Sequence, residues 1–149
     1  MPGLSITRVF FDSDTIIAGS ASRKGASFIL LQLAELGLIQ GIASQKVIEE
    51  CRRNVQLKLP DALPQFEKII SHTLAIVDNP PPKLIARYNH MANEKGVPIL
   101  AAAIQQKVQF LVTFNTKDYF QSQDLLLYVV EPGELLQRIR HRLSQMSER

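Results

Sequence analysis

Cysteine and tryptophan are scarce in this chain, which has one cysteine, Cys51, and no tryptophan among its 149 residues. A single cysteine can form neither an internal disulfide nor a thiolate-rich zinc site, so folds that depend on either are excluded. No apolar segment approaches the ~18 residues that a membrane-spanning helix requires. The first residues also lack the small-residue cleavage pattern of a secretory signal. These absences predict a cytoplasmic protein with no membrane partner.

The composition is otherwise that of an ordinary globular protein, with 46% hydrophobic and 21% charged residues. At this length we expect a single domain over residues 1–149, built around one hydrophobic core. The net charge of +3 and the isoelectric point of about 9.2 favour a polyanionic partner without requiring one.

Short apolar segments alternate along the chain with segments that have helical periodicity. The predicted strands are 6–11, 38–43, 73–77, 109–113 and 126–130. The predicted helices are 25–36, 44–55, 61–72, 83–93, 97–107 and a C-terminal helix at about 132–147. This alternation predicts a three-layer α/β/α fold, with a central parallel sheet of about five strands covered by helices on both faces. Ligands of such sheets bind beyond the carboxyl ends of the strands, near a reversal of strand order.

Acidic and amide side chains lie near the ends of the predicted strands. If the first and fourth strands are central, their ends meet, and clustered carboxylates repel one another unless they hold a cation. Oxygen ligands suit Mg²⁺ or Mn²⁺, and either ion can stabilise charge during phosphoryl transfer. Each residue alone fits a simpler role as a helix cap, a turn residue or a solvated helix face, so the joint arrangement carries the prediction. The residues concerned are Asp12 and Asp14 after the first strand, Glu49 and Glu50 on the helix after the second, and Asn115 and Asp118 after the fourth.

Four sequence blocks together resemble those of the PIN-domain family. They are VFFDSDTIIAG, SQKVIEECRRNV, PILAAAIQQKVQFLVTFNTKDYF and VVEPGELL, which occur in the family's order and span nearly the whole chain. The resemblance implies a PIN-like fold and a Mg²⁺- or Mn²⁺-dependent endoribonuclease that hydrolyses RNA phosphodiester bonds. Such proteins are commonly the toxin of a bacterial toxin–antitoxin pair. The implied partners are therefore RNA, a cognate antitoxin and, because related domains commonly pair, a second copy of the chain.

The resemblance also implies roles for individual residues. By position, Asp12, Glu50 and Asp118 are the catalytic metal ligands. The supporting residues are Asp14, Glu49 as a substitute for Glu50, Thr113 as the residue that orients the late loop, and Asn115.

Two positions depart from the family pattern. Gly96 stands where many members have an aspartate, and Asn115 is neutral where an acid is frequent, although Glu94 is a candidate substitute. Fewer carboxylates weaken the binding of a divalent cation. The alternative is therefore a catalytically weak or inactive PIN-like protein that binds RNA or another partner. A carboxylate introduced at position 96 is expected to strengthen metal binding, and Gly96 itself, between two helices, is a candidate for a positive φ.

A second alternative comes from DSDTI at residues 12–16, which also matches the Asp-x-Asp-x-Thr opening of haloacid-dehalogenase-like phosphatases. In those enzymes the first aspartate is a nucleophile and the second a general acid. Their chemistry also requires a downstream lysine and a late pair of aspartates after a strand. The segment LVTFNTKD supplies one aspartate there, so the sequence favours the PIN-domain interpretation.

Overall fold

The structure is a computed structural model that describes residues 6–120 and 125–147. Within these ranges the chain forms five strands and seven α-helices, joined by short loops and two turns of 3₁₀ helix. The elements are β1 Arg8–Phe11, α1 Ser13–Ala21, α2 Ala26–Glu35, β2 Gln40–Ser44, α3 Gln45–Lys58, α4 Leu63–Thr73, β3 Leu74–Val77, α5 Pro82–Arg87, α6 Val97–Gln105, β4 Phe110–Val112, β5 Tyr128–Val130 and α7 Pro132–Ser147.

The five strands form one parallel sheet in the order β3-β2-β1-β4-β5. The central strand β1 is buried on both faces, since Val9, Phe10 and Phe11 are all inaccessible to solvent. Burial on both faces explains why this strand is an unbroken apolar run rather than an alternating one. The predicted three-layer α/β/α fold with a five-stranded parallel sheet is confirmed.

The helices cover both faces of the sheet. Helices α1 to α4 contact one another and α7 packs on α2, whereas α5 packs on α6. Crossovers between parallel strands are right-handed, and the connection from β3 to β4 runs back across the sheet. The pair α5 and α6 therefore lies on the face opposite α1 to α4. Within the described residues, no helix is both long and apolar enough to cross a membrane.

Helix α1 is the element that periodicity did not predict. It begins directly after β1, where Asp12 is extended and its carboxylate accepts a hydrogen bond from the Ser13 amide. Its contact with α2 depends on Gly19, because a Cβ there would lie 2.7 Å from Leu31 Cδ1 and 3.0 Å from the Ser27 carbonyl carbon. The helix is thus stabilised by tertiary packing, which a search for amphipathic spacing does not register.

Two other expectations are wrong. The helix predicted over 83–93 ends at Arg87, because the following chain pairs instead with the loop after β4. Ala92 forms an antiparallel bridge with Tyr119, and the Phe120 amide donates to the Met91 carbonyl at 2.9 Å. Gly96 has φ −82° and ψ −22°, so it needs no left-handed conformation. The reason for a glycine there is spatial and involves Tyr119.

Two residues near α3 have structural roles. Ser44 caps α3, with its hydroxyl accepting from the Val47 amide at 3.4 Å. Cys51 is a core residue on the buried face of the same helix. Burial raises the pKa of the Cys51 thiol to about 12, so it is unreactive at neutral pH.

Candidate active site

A cleft of about 690 Å³ opens at the carboxyl ends of β1 and β4. The chain adds β2 and β3 on one side of β1 and then returns to add β4 and β5 on the other. Such a reversal is where parallel α/β sheets bind their ligands. Most of the residues that the sequence singled out line this cleft, namely Asp12, Asp14, Glu49, Glu50, Gly96, Asn115 and Asp118. Thr113 and the candidate substitute Glu94 are not among its lining residues.

Asp12 is a buried carboxylate at the floor of the cleft, with 8% of its surface exposed. Its Oδ1 accepts a hydrogen bond from the Ser13 amide at 2.8 Å, and its Oδ2 accepts one from the Tyr119 hydroxyl at 3.1 Å. Burial, with the nearby charge of Asp14, raises the pKa of Asp12 to about 6. The ionised form is therefore costly unless positive charge is brought to it.

Asp14 lies in the first turn of α1, two residues after Asp12, and hydrogen bonds hold only one of its carboxylate oxygens. Its Oδ2 accepts from the Thr113 hydroxyl at 3.3 Å, the Phe114 amide at 3.1 Å and the Asn115 side-chain amide at 3.0 Å. Its Oδ1 is buried and has no hydrogen-bond partner among the described residues. Burial also raises the pKa of Asp14, although these donors oppose the increase. A buried carboxylate oxygen without a donor is the position where a cation or an ordered water is expected.

The loop after β4 supplies the groups that fix Asp14. Thr113 is fully buried, and its Oγ1 also accepts from the Asn115 amide at 3.1 Å. Thr113 and Asn115 thus act together on the same carboxylate oxygen. Asp118 lies in the short 3₁₀ helix Thr116–Asp118 that follows β4, and its Oδ1 accepts a hydrogen bond from the Asn93 side chain at 2.8 Å. This contact ties Asp118 to the segment before α6 at the edge of the cleft.

The two glutamates of α3 differ in their environment. Glu50 is half-buried and Glu49 is exposed. Burial is the largest cause of the raised pKa of Asp14, and hydrogen bonds oppose it. The negative charge of Glu50 is a smaller cause that also raises this pKa. Glu50 is therefore the one of the pair whose charge acts on the buried carboxylates.

Comparison with known proteins now identifies the fold. The family model described as PIN domain matches residues 8–117, which is most of the chain. The chain belongs to the PIN-domain family. This membership removes the support for the haloacid-dehalogenase-like alternative, and nucleases with PIN domains generally use divalent metal ions. No curated protein matches the chain at a significant level.

Two solved structures have a similar fold. One is VapBC2 from Rickettsia felis bound to a DNA fragment from their promoter, at 16% identity over 83% of this chain and 98% of that chain, with a TM-score of 0.62. The other is VapC20 from Mycobacterium tuberculosis, described as a toxin that cleaves the sarcin–ricin loop, at 14% identity over 78% and 92% of the two chains, with a TM-score of 0.50. At these identities the likeness shows the fold alone.

The acidic groups of this PIN domain converge on one cleft without forming a complete ligand cage. Within residues 6–120 and 125–147, no three acidic, histidine or cysteine side chains are close enough to hold one metal ion together. The donor set nevertheless fits a hard divalent cation, because it consists of carboxylate oxygens and includes the unpartnered Oδ1 of Asp14. Hydrogen bonds hold Asp12, Asp14 and Asp118 in this set.

The sequence interpretation missed four residues of the cleft. Lys46 and Arg53 of α3 and Lys95 before α6 are exposed cations on its rim, and none of them forms an ion pair in the described part of the chain. Tyr119 is 4% exposed and donates to Asp12. Burial, followed by the charge of Asp12, raises the pKa of Tyr119, so its hydroxyl keeps the proton that it donates. Helical spacing places Lys46, Glu49, Glu50 and Arg53 near one another, but only the fold shows which partners face them.

Proposed function

We propose that this PIN domain is a metal-dependent endoribonuclease that hydrolyses RNA phosphodiester bonds with Mg²⁺ or Mn²⁺. The observation that carries the proposal is the buried, unpartnered Asp14 Oδ1 beside the buried Asp12 carboxylate, at the reversal of strand order. Two carboxylates whose pKa values are raised by burial favour a cation between them over two bare negative charges.

Asp12, Glu50 and Asp118 are the proposed metal ligands, and Asp14 is well placed to join them. No three of these groups lie close enough to hold one ion in the described residues, so their side chains would have to move closer together to bind it. A bound divalent cation supplies an activated water and stabilises charge on the phosphoryl group. Thr113 and Asn115 hold Asp14 in place through its other oxygen.

The rim of the cleft supports a polyanionic substrate. Lys46, Arg53 and Lys95 surround the carboxylates and are free to contact phosphates on either side of the scissile bond. Their charges also offset the repulsion that an RNA backbone would meet from the acidic floor. Binding that depends on them is expected to weaken as the salt concentration rises.

The similar structures support a biological setting for this activity. Both are structures of Vap proteins, and one of these proteins is described as a toxin that cleaves the sarcin–ricin loop. We therefore extend the proposal to a cytoplasmic toxin that is paired with a cognate antitoxin and forms a homodimer. Co-expression with the neighbouring gene and light scattering of the purified protein test these two partners separately.

A second candidate function is an RNA- or partner-binding PIN domain with weak or no activity. It is favoured by the glycine at position 96, the neutral Asn115 and the incomplete ligand cluster. Incubation of end-labelled RNA with the protein in Mn²⁺, in EDTA and after Mn²⁺ is restored separates the two candidates. The nuclease predicts cleavage that disappears with EDTA and returns with Mn²⁺. Binding of RNA without cleavage in any of these conditions would support the second candidate.

A further inference from the structure

Tyr119 and Gly96 form a packed pair at the wall of the cleft. The Tyr119 ring lies against Gly96, where a Cβ would be 3.1 Å from Cε1, 3.3 Å from Cζ and 3.4 Å from the Ala92 Cβ. The two separations from the ring are shorter than ordinary van der Waals contacts between carbon atoms. The ring therefore occupies the space that any larger residue at position 96 would use.

The backbone on both sides of this contact is held by hydrogen bonds. The Tyr119 amide donates to the Thr116 carbonyl at 3.1 Å, and the residue bridges to Ala92. On the other side, the Gly96 amide donates to the Asn93 carbonyl at 2.8 Å, and the Gly96 carbonyl accepts from the Leu100 amide at 2.8 Å. From this backbone position the Tyr119 hydroxyl donates to Asp12 Oδ2 at 3.1 Å.

We propose that Tyr119 is a positioning residue for Asp12, and that position 96 is a glycine because the Tyr119 ring fills the adjoining space. The hydroxyl and the Ser13 amide each bond a different oxygen of Asp12, so together they fix the rotation of the carboxylate. Each oxygen retains a second lone pair with which it can bind a cation. The neutral hydroxyl donor of Tyr119 thus lies beside position 96, where the resemblance implies an aspartate. The proposal rests on the metal-dependent function proposed above.

The direct test is Mn²⁺ titration by calorimetry of the parent protein, Tyr119→Phe and the control Tyr128→Phe. Tyr119→Phe removes one hydroxyl and keeps the ring, so the fold is retained, and Tyr128 is an exposed tyrosine away from the cleft. We expect Tyr119→Phe to weaken Mn²⁺ binding by about tenfold or more, as is typical when a donor that orients a metal ligand is lost, and Tyr128→Phe to bind as the parent does. If the parent and Tyr119→Phe bind Mn²⁺ with equal affinity, the positioning role is contradicted and the proposed function is not. A parent that binds no Mn²⁺ contradicts the proposed function, and the positioning role fails with it.

A second variant tests whether Gly96 acts through the tyrosine. Gly96→Ala should push the ring and its hydroxyl away from Asp12, so Mn²⁺ affinity should fall in the parent but change little in the Tyr119→Phe background. Gly25→Ala is the matched control, because among the described residues no atom beyond its chain neighbours lies within 4 Å of a Cβ built at Gly25. A merely structural role for the pair would lower the melting temperature of both variants and leave Mn²⁺ affinity unchanged. Losses of affinity that simply add in the double variant would also contradict the coupling.

Discussion

Asp12→Asn should make the metal-free protein more stable at neutral pH. Asp12 is buried, and its pKa is raised from 3.8 to about 6. A carboxyl group whose folded-state pKa lies above its unfolded value destabilises the fold when it is ionised. The penalty is complete above pH 6 and vanishes below about pH 4. At 1.36 kcal/mol per pKa unit, it amounts to about 3 kcal/mol as an upper estimate.

Asparagine removes the charge and keeps most of the local contacts. It caps helices about as well as aspartate does, so the start of α1 should be retained. Its amide can also donate to the Tyr119 oxygen in place of the bond that Asp12 accepts. With part of the gain lost to imperfect hydrogen bonding, we expect a melting temperature about 5 °C above that of the parent at pH 7.5.

The assay is thermal unfolding followed by far-UV circular dichroism in EDTA, at pH 7.5 and pH 4.5. The stabilisation of Asp12→Asn over the parent should be present in full at pH 7.5 and much smaller at pH 4.5. At pH 4.5 Asp12 is protonated in the folded parent but still largely ionised in the unfolded chain, so the penalty falls to about 1 kcal/mol. Asp78→Asn, at an exposed aspartate outside the cleft, is the control and should change neither melt. A variant that is destabilised to the same extent at both pH values would refute the reasoning, because Asp12 would then be a structural cap without an electrostatic penalty.

Three further predictions follow from the geometry. Glu50→Gln should weaken Mn²⁺ binding measured by calorimetry, whereas the exposed Glu49→Gln should not, and the opposite order would exchange their roles. Gly19→Ala should destabilise the protein by about 1–3 kcal/mol in urea unfolding, because its Cβ overlaps α2, and an unchanged midpoint would contradict this close packing. Gly96→Asp should weaken Mn²⁺ binding when introduced alone and strengthen it when Tyr119→Ser opens the space, whereas a gain from Gly96→Asp alone would contradict the overlap with the ring.

The sheet could be predicted from the sequence because its strands are short apolar runs between helical segments. The central strand β1 is buried on both faces, so hydrophobicity alone marks its position, whereas the edge strands β3 and β5 expose Ile76 and Tyr128. No local feature of the sequence predicts the order of the strands. The sequence argument assumed that the first and fourth strands are central, and the structure shows β1 and β4 as neighbours.

The missed features arise from long-range contacts. Helix α1 has weak amphipathic spacing and depends on the close approach of Gly19 to α2. The predicted helix over 83–93 is interrupted because the backbone near Ala92 pairs with the loop after β4. Periodicity describes neighbours along one element and contains no information about such pairings.

The candidate site divides in the same way. Asp12, Asp14 and Asn115 could be proposed from their places at strand ends, and the fold brings them into hydrogen-bonded or adjacent positions. The role of Tyr119 could not be proposed from the sequence, because a tyrosine directly after Asp118 belongs to no motif or spacing that indicates a function. The sequence suggested that Gly96 is simply a lost ligand position, because it gave no sign that the Tyr119 ring packs against this residue.

Mn²⁺-dependent cleavage of RNA by the parent and by Asp12→Asn, measured side by side, tests the central claim most directly. Both proteins should be folded, and Asp12→Asn should be the more heat-resistant in EDTA. The parent is predicted to cleave end-labelled RNA only when Mn²⁺ is present, and Asp12→Asn is predicted to lose this cleavage under the same conditions. Cleavage by Asp12→Asn at the parent's rate, or cleavage by the parent that persists in EDTA, would contradict a metal-dependent nuclease built on Asp12.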